Sequence, residues 1–381
     1  MTSLAALTGA LSVFSALGAH ASTGTLDYYV SSTTGSDSTG DGSIQHPWST
    51  IGKAAASVSL GDSGTVVHVE PGTYTTVVDN TSSGRPGAYL TFLADTTPDR
   101  PWSVKIVTGG GSSDFPFRND GSYVRIIGFD VTSTGKASEG ILSFGHNNII
   151  QGNQVFGVNP GCTSHGGDGI GDDESAANNA FIGNVVHNIG GYPKSQACQY
   201  VHGIYPSGAG DIVQNNIAYQ NAGSGILFNH NSVGATIANN LSFANGNHGI
   251  SISSGGGNGD GFVITNNIVR DNAMFGINVH SDANGADNQY RDNLFYGNKK
   301  GDYGLDNSRT TPPWTPPNSS GTLDTDPLLV DYQANGSGDY RLTAASPCVD
   351  AGTTLGAPAT DYDGTARPQG AGIDIGPYEY S

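Results

Sequence analysis

The sequence is short of charge, and of positive charge above all. Only 13% of its 381 residues are charged, and 15 Lys and Arg stand against 33 Asp and Glu, a formal net charge of −18. Binding to a phosphate backbone draws on Lys and Arg, so nucleic acid is excluded as a partner. Cysteine is scarce as well. Three residues cannot staple a disulfide-dense scaffold, and no Cys/His spacing suits zinc. Beyond the N-terminus no apolar run is long enough to span a membrane. No Ser-His-Asp pattern stands out, and helical periodicity is confined to one short segment.

Glycine and asparagine are plentiful instead, and they recur. Gly203-Ile204, Gly225-Ile226, Gly249-Ile250, Gly276-Ile277 and Gly304-Leu305 follow one another at spacings of 22, 24, 27 and 28 residues. Between them lie Asn216-Ile217, Asn240-Leu241, Asn267-Ile268 and Asn293-Leu294, each 9 to 11 residues before the next Gly. Looser copies begin at Gly140-Ile141, leading to Asn153, and at Gly169-Ile170, leading to Asn184. Periods of this size mark a solenoid, because no single repeat can bury its own apolar face. Short apolar bursts between Gly-rich turns argue for β-rungs rather than helix pairs. The fold expected is all-β, a parallel β-helix in which equivalent residues stack into columns ~4.8 Å apart.

Residues 1–21 read as an export signal, with an apolar run from Leu4 to Ala19 and an Ala19-His20-Ala21 cleavage pattern. Residues 22–381 then form one domain, with 22–75 as cap and first rung and 306–381 as last rungs and closing loop. In the cap, Ser49 or Thr50 precedes Ile51, Ala54, Ala55 and Val58 at helical spacing, which predicts a capping helix. Cys162 and Cys198 precede Gly169 and Gly203 by seven and five residues, so they fall at matching places on adjacent rungs. A disulfide between them suits an oxidising compartment. The expected protein is secreted and monomeric.

The run from Tyr28 to Tyr74, with "HPWSTIGKAA" and "VVHVEPGTY", resembles the N-terminal cap of secreted right-handed parallel β-helix proteins of the pectate-lyase-like superfamily. The closing stretches "SPCVDAGT" (346–353) and "DYDGTARPQGAGIDIGPYEY" (361–380) resemble the end of the same group. The resemblance implies a right-handed β-helix acting on a polysaccharide. Lyases, hydrolases and epimerases share this fold, so the chemistry must come from the site.

The richest stretch lies between Asn153 and Gly203. If Ile points inward, the second and fourth residues after each Gly point outward. Those columns read Gly171, Tyr205, Leu227, Ser251, Asn278, and Asp173, Ser207, Asn229, Ser253, His280. The reading adopted is a lyase that opens a uronate polymer, of alginate or pectate type, by β-elimination. That needs a partner for the carboxylate, a base for the C5 proton and an acid for the leaving oxygen. Lys194, His202 and Tyr205 are the catalytic candidates. Asp173, Asn229, His230 and His280 are candidates for holding the sugar. Relatives often use Lys or Arg as base and Ca²⁺ against the carboxylate, which favours Lys194. His202, with an ordinary pKa of ~6.5, starts nearer the task. Asp168 and Asp172, with Asp173 and Glu174, are hard oxygen ligands suited to Ca²⁺. A second reading is a polygalacturonase-like hydrolase with Asp172 and Asp173 as paired carboxylates, since "IGDDE" and "VHGI" resemble that arrangement, although its Arg-x-Lys is missing. A third is a non-catalytic carbohydrate-binding solenoid. The column Phe156, His187, Tyr219, Phe243, Arg270, Tyr296 is expected to be an aromatic ladder facing the core.

Overall fold

The computed structural model describes residues 24–111, 115–162, 166–191, 198–255, 259–306 and 314–381. The expected export signal and Lys194 lie outside these residues.

Each turn of the chain lays down three short strands, one on each of three sheets. Among the described residues the sheets hold nine, eleven and ten strands, every pairing parallel, and each strand pairs with its equivalents one rung before and after. The repeat 201–219 shows the pattern: Val201–Tyr205 joins the nine-stranded sheet, Ile212–Gln214 the eleven-stranded sheet, and Ile217–Tyr219 the ten-stranded sheet.

The Gly-Ile signature sets the core of the nine-stranded sheet. Ile141, Ile170, Ile204, Ile226, Ile250 and Ile277 are fully buried in register. Glycine before each isoleucine lets the next rung approach, since a Cβ on Gly203 would meet the Gly225 carbonyl at 2.5 Å. The last pair breaks the pattern. Register aligns Ile277 with Tyr303, so Gly304-Leu305 falls past the column and Tyr303 closes the core in its place.

The repeated Asn marks the corner between the eleven- and ten-stranded sheets. The residue before it is left-handed: Gly152, Gly183, Asn215, Asn239, Asn266 and Asp292 all have φ between 51° and 65°. Glycine, Asn and Asp are the residues that tolerate this conformation, which is why the corner reads Gly-Asn, Asn-Asn or Asp-Asn. The following Asn side chain turns inward. Its Nδ2 donates to Oδ1 of the next rung's Asn through Asn153, Asn184, Asn216, Asn240, Asn267 and Asn293, at 2.9–3.1 Å. A second ladder of Asn221, Asn245, Asn272 and Asn298 holds the corner that leads back to the nine-stranded sheet. Unpaired amides would be costly in such an interior, and the ladders leave both ends of each amide bonded.

The capping helix, α1, is Ile51–Ser57. The Thr50 hydroxyl accepts the Lys53 N–H, and Ile51, Ala54 and Ala55 close the end of the core. At the other end the chain forms a short antiparallel pair, Leu329–Asp331 with Asp339–Leu342. It then runs back along the outside of the solenoid. Gln214, Asn215, Asn239 and Asn266 donate side-chain bonds to carbonyls of Gly356, Thr360, Asp374 and Thr353. Arg367 and Glu379 pair in full burial within this strap.

The strap corrects the aromatic column. Val155, Val186, Ala218 and Phe295 point into the solenoid, so their neighbours Phe156, His187, Tyr219, Phe243, Arg270 and Tyr296 point out. Phe156, His187, Tyr219 and Phe243 stack ring on ring with centroids 4.6–5.3 Å apart. Leu329, Tyr340, Leu342 and Tyr378 of the C-terminal segment cover the Tyr219 and Phe243 end. Tyr332 lies over the Arg270 guanidinium at 3.5 Å. Tyr219 and Phe243 therefore belong to a second, external core.

Candidate active site

A cleft of about 660 Å³ lies on the outer face of the nine-stranded sheet. Its floor is the outward column expected from strand alternation. Register runs Leu142, Gly171, Tyr205 across three rungs, then Leu227, Ser251, Asn278. Asp173, Ser207, Asn229, Ser253 and His280 form one side, and Glu139, Asp168 and His202 the other. Of the residues expected to form the site, His202, Tyr205, Asp168, Asp172, Asp173, Asn229, His230 and His280 all line this cleft.

The Cys162–Cys198 disulfide is present, with Cα atoms 5.6 Å apart. Gln199 and Tyr200, directly after it, form part of the cleft wall, so the bridge anchors the start of that wall.

Tyr205 is the centre of the polar network. Its Oη lies 3.0 Å from His230 Nε2 and accepts a bond from Asn229 Nδ2 at 3.1 Å. His230 Nδ1 lies 3.4 Å from Glu174 Oε2. His230 has a left-handed backbone, φ 57°, an uncommon conformation that often accompanies a functional constraint. It places the imidazole two residues past the strand end, beyond the reach of column counting. Burial pushes the Tyr205 phenol up to about 12, the Asn229 bond opposes this, and Asp168, Glu139 and Glu174 add to it. Gly171 keeps the floor open beside this phenol, because a Cβ there would sit 2.9 Å from the Asp168 carboxylate.

His202 differs from expectation. Its Nδ1 accepts the Ser224 N–H at 3.2 Å, and burial, with His248 nearby, pulls it down to about 3. It stays neutral and packs its ring 5.4 Å from that of Tyr205. His280 sits further along the cleft with Nε2 3.5 Å from Ser251 Oγ, its pKa lowered chiefly by burial.

The acidic residues divide. Asp172 is turned away from the open cleft: its Oδ1 accepts the Ser207 and Gly208 N–H groups and its Oδ2 the Asn179 amide. It thereby fixes the turn that follows Tyr205. Burial raises it to about 6, and beside it lies Asp211, itself raised well above the carboxylate range by burial and by Asp172. Asp173, on the opposite face, bonds Ser175. Successive strand residues diverge in this way, so Asp172 and Asp173 do not face one another across a glycosidic bond. Glu139 and Asp168 are register partners on the other side of the floor. Burial and then Asp173 raise Glu139 to about 7 against the opposing charge of Arg118, and burial, Glu139 and Asp172 hold Asp168 well up. The floor thus carries less negative charge near neutral pH than its composition suggests.

Among the described residues no three His, Cys, Asp or Glu side chains are grouped as a metal site requires. Calcium takes six to eight oxygens. Asp172 has already committed its oxygens to N–H donors, and Asp168 and Glu139 alone fall short. The residues described do not fit a Ca²⁺ site, and no step below is routed through one.

The fold is a right-handed parallel β-helix with a polar cleft along one sheet. Residues 117–295 match the family described as the right handed beta helix region. Among solved structures, that of pectate lyase Pel9A is similar over 93% of this chain and 96% of its own, at 17% identity and a TM-score of 0.57. An alginate lyase from Paenibacillus sp. str. FPU-7 matches over 74% of this chain and 99% of its own, at 14% identity and a TM-score of 0.47. A rhamnogalacturonan lyase matches over 84% and 96%, at 15% identity and a TM-score of 0.47. The likeness to pectate lyase Pel9A, at 17% identity, shows the fold alone and leaves the reaction to the site. No curated protein matches the sequence.

Proposed function

We propose that this chain is a secreted polysaccharide lyase that cleaves a uronate-containing polymer by β-elimination. The observation that carries the reading is the Tyr205–His230 contact of 3.0 Å on the cleft floor, with Asn229 donating to the same phenol oxygen. A phenol held near 12 starts protonated, suited to giving its proton to the leaving sugar oxygen. His230, displaced from Tyr205 by the sugar, takes the C5 proton through Nε2. The C5 electron pair forms the C4–C5 double bond, the C4–O4 bond breaks, and O4 takes the Tyr205 proton. His230 then returns its proton to Tyr205 along the same contact, which resets the pair. His202 positions the Tyr205 ring. Lys194 is proposed as carboxylate partner, since the wall residues Gln199 and Tyr200 follow closely after it in the chain. The disulfide and the apolar N-terminus support an extracellular site of action.

The test is incubation with alginate, pectate, glucuronan and neutral glycans, with and without chelator, following absorbance near ~235 nm from the new double bond. A rise on one uronate polymer is expected, undiminished by chelator, and Tyr205→Phe should lower kcat by roughly 10²–10⁴. New reducing ends without absorbance would point to hydrolysis and sink the lyase reading. Neither product would leave a binding groove.

A further inference from the structure

The floor column does not end at Leu142. Register carries it one rung further, to Arg118 on the strand Phe117–Asn119, and then to Asp79. Phe117 is fully buried, so Arg118 points to the outer face beside the cleft. Its guanidinium lies 4.2 Å from the centre of the Phe144 ring and 5.8 Å from that of Phe115. Phe144 belongs to the same side column as Asp173 and Asn229. Among the described residues Arg118 makes one ion pair, from Nε to Asp120 at 2.8 Å, and 36% of its side chain is open to solvent. The aromatic flank and the Nε bond hold the guanidinium plane in place, its charge favours ionisation of the nearby Glu139, and neither terminal amine is used in the Asp120 pair, which leaves the fork that suits a carboxylate.

We infer that Arg118 is a subsite that receives the carboxylate of a uronate residue three rungs from Tyr205. The inference rests on the uronate reading of the cleft. Three rungs amount to ~14 Å, and the rise of an extended pyranose chain per sugar is close to the rung spacing. A chain with its reacting bond at Tyr205 therefore brings its third residue along to Arg118. The intervening floor, Leu142 and Gly171, is uncharged, so the cation is the first charged group the sugar meets on the floor beyond the reacting bond. The Phe144 ring offers the same residue an apolar face.

The test reads binding apart from turnover, by calorimetry with hexagalacturonate and hexamannuronate. Arg118→Gln should weaken binding of the preferred hexauronate about tenfold and flatten its salt dependence. Arg118→Lys keeps the charge and should recover part of the loss. Asp120→Asn, which keeps an oxygen to accept from Nε while removing the competing charge, should tighten binding. Unchanged affinity and salt dependence in Arg118→Gln, weaker binding in Asp120→Asn, or a wild type that binds neither hexauronate would each overturn the assignment. Arg118-dependent binding with no absorbance change would remove the lyase reading and leave this subsite standing.

Discussion

Replacing Asp211 with Asn should stabilise the protein at alkaline pH. Asp172 and Asp211 are buried to 4% and 0% exposure and lie side by side, each carboxylate influencing the other. Two carboxylates in that position cannot both ionise cheaply, so the pair retains a proton. Asp172 alone moves from 3.8 to about 6. The folded protein therefore keeps a proton that the unfolded chain releases, and folding takes one up between those two pH values. Stability falls as pH rises through that window and stays lower above it. In Asp211→Asn the amide Oδ1 still accepts the Asn179 N–H that Asp211 accepts now at 2.8 Å. Its Nδ2 supplies a permanent donor toward Asp172. Urea unfolding followed by tryptophan fluorescence should show the variant more stable than wild type at pH 8, by on the order of 1–3 kcal/mol for relieving one buried like-charge contact, with the gap narrowing toward pH 4.5. A variant less stable at pH 8, or one whose difference is the same at both pH values, would show that the pair holds no extra proton.

Two further outcomes concern the ladders. Asn240→Ala removes an amide that bonds Val213, Ala238, Asn216 and Asn267 in full burial, and should cost roughly 3–5 kcal/mol in the same unfolding assay. His187 is stacked and held down to about 4 by burial, so it stays neutral in the fold but protonates near ~6.5 when unfolded, and stability is lost as pH falls between these values. His187→Phe keeps the stack and removes the titration, so its acid-unfolding midpoint should lie below that of wild type.

Period and parity made much of this molecule legible. The Gly-Ile pairs identify the core column, the two outward columns identify the cleft floor and its side, and Thr50 with its apolar spacing identifies α1. What parity cannot report is what lies on the outer side of a strand. Tyr219 and Phe243 look like core because a core does cover them, but it is supplied by a segment 86 or more residues further along the chain in Leu329–Leu342 and beyond, while Tyr296 at the end of the same column stays exposed. Nor does residue type report local bonding. His202 and His230 are equally attractive in the sequence, yet one has its Nδ1 occupied by a backbone N–H and the other is aimed by a left-handed turn. Asp172 looks like a ligand until its oxygens are found on the Ser207 turn. Arg118 lies in "FRN", a rung without the Gly-Ile signature, so counting never reaches it.

The C-terminal strap changes the mechanics of the solenoid. A stack held only by neighbour contacts resembles a zipper: each rung leans on the next, and failure creeps inward from an open end. Here Gln214, Asn215, Asn239 and Asn266 are tied to residues 142, 145, 135 and 87 positions away. Three successive middle rungs are cross-braced by one segment, so the last rungs cannot peel away while the brace stays in place, and the brace cannot lift without exposing the aromatic stack beneath it. The middle of the cleft, Tyr205 included, thus stands on rungs whose integrity is set by the final thirty residues of the chain.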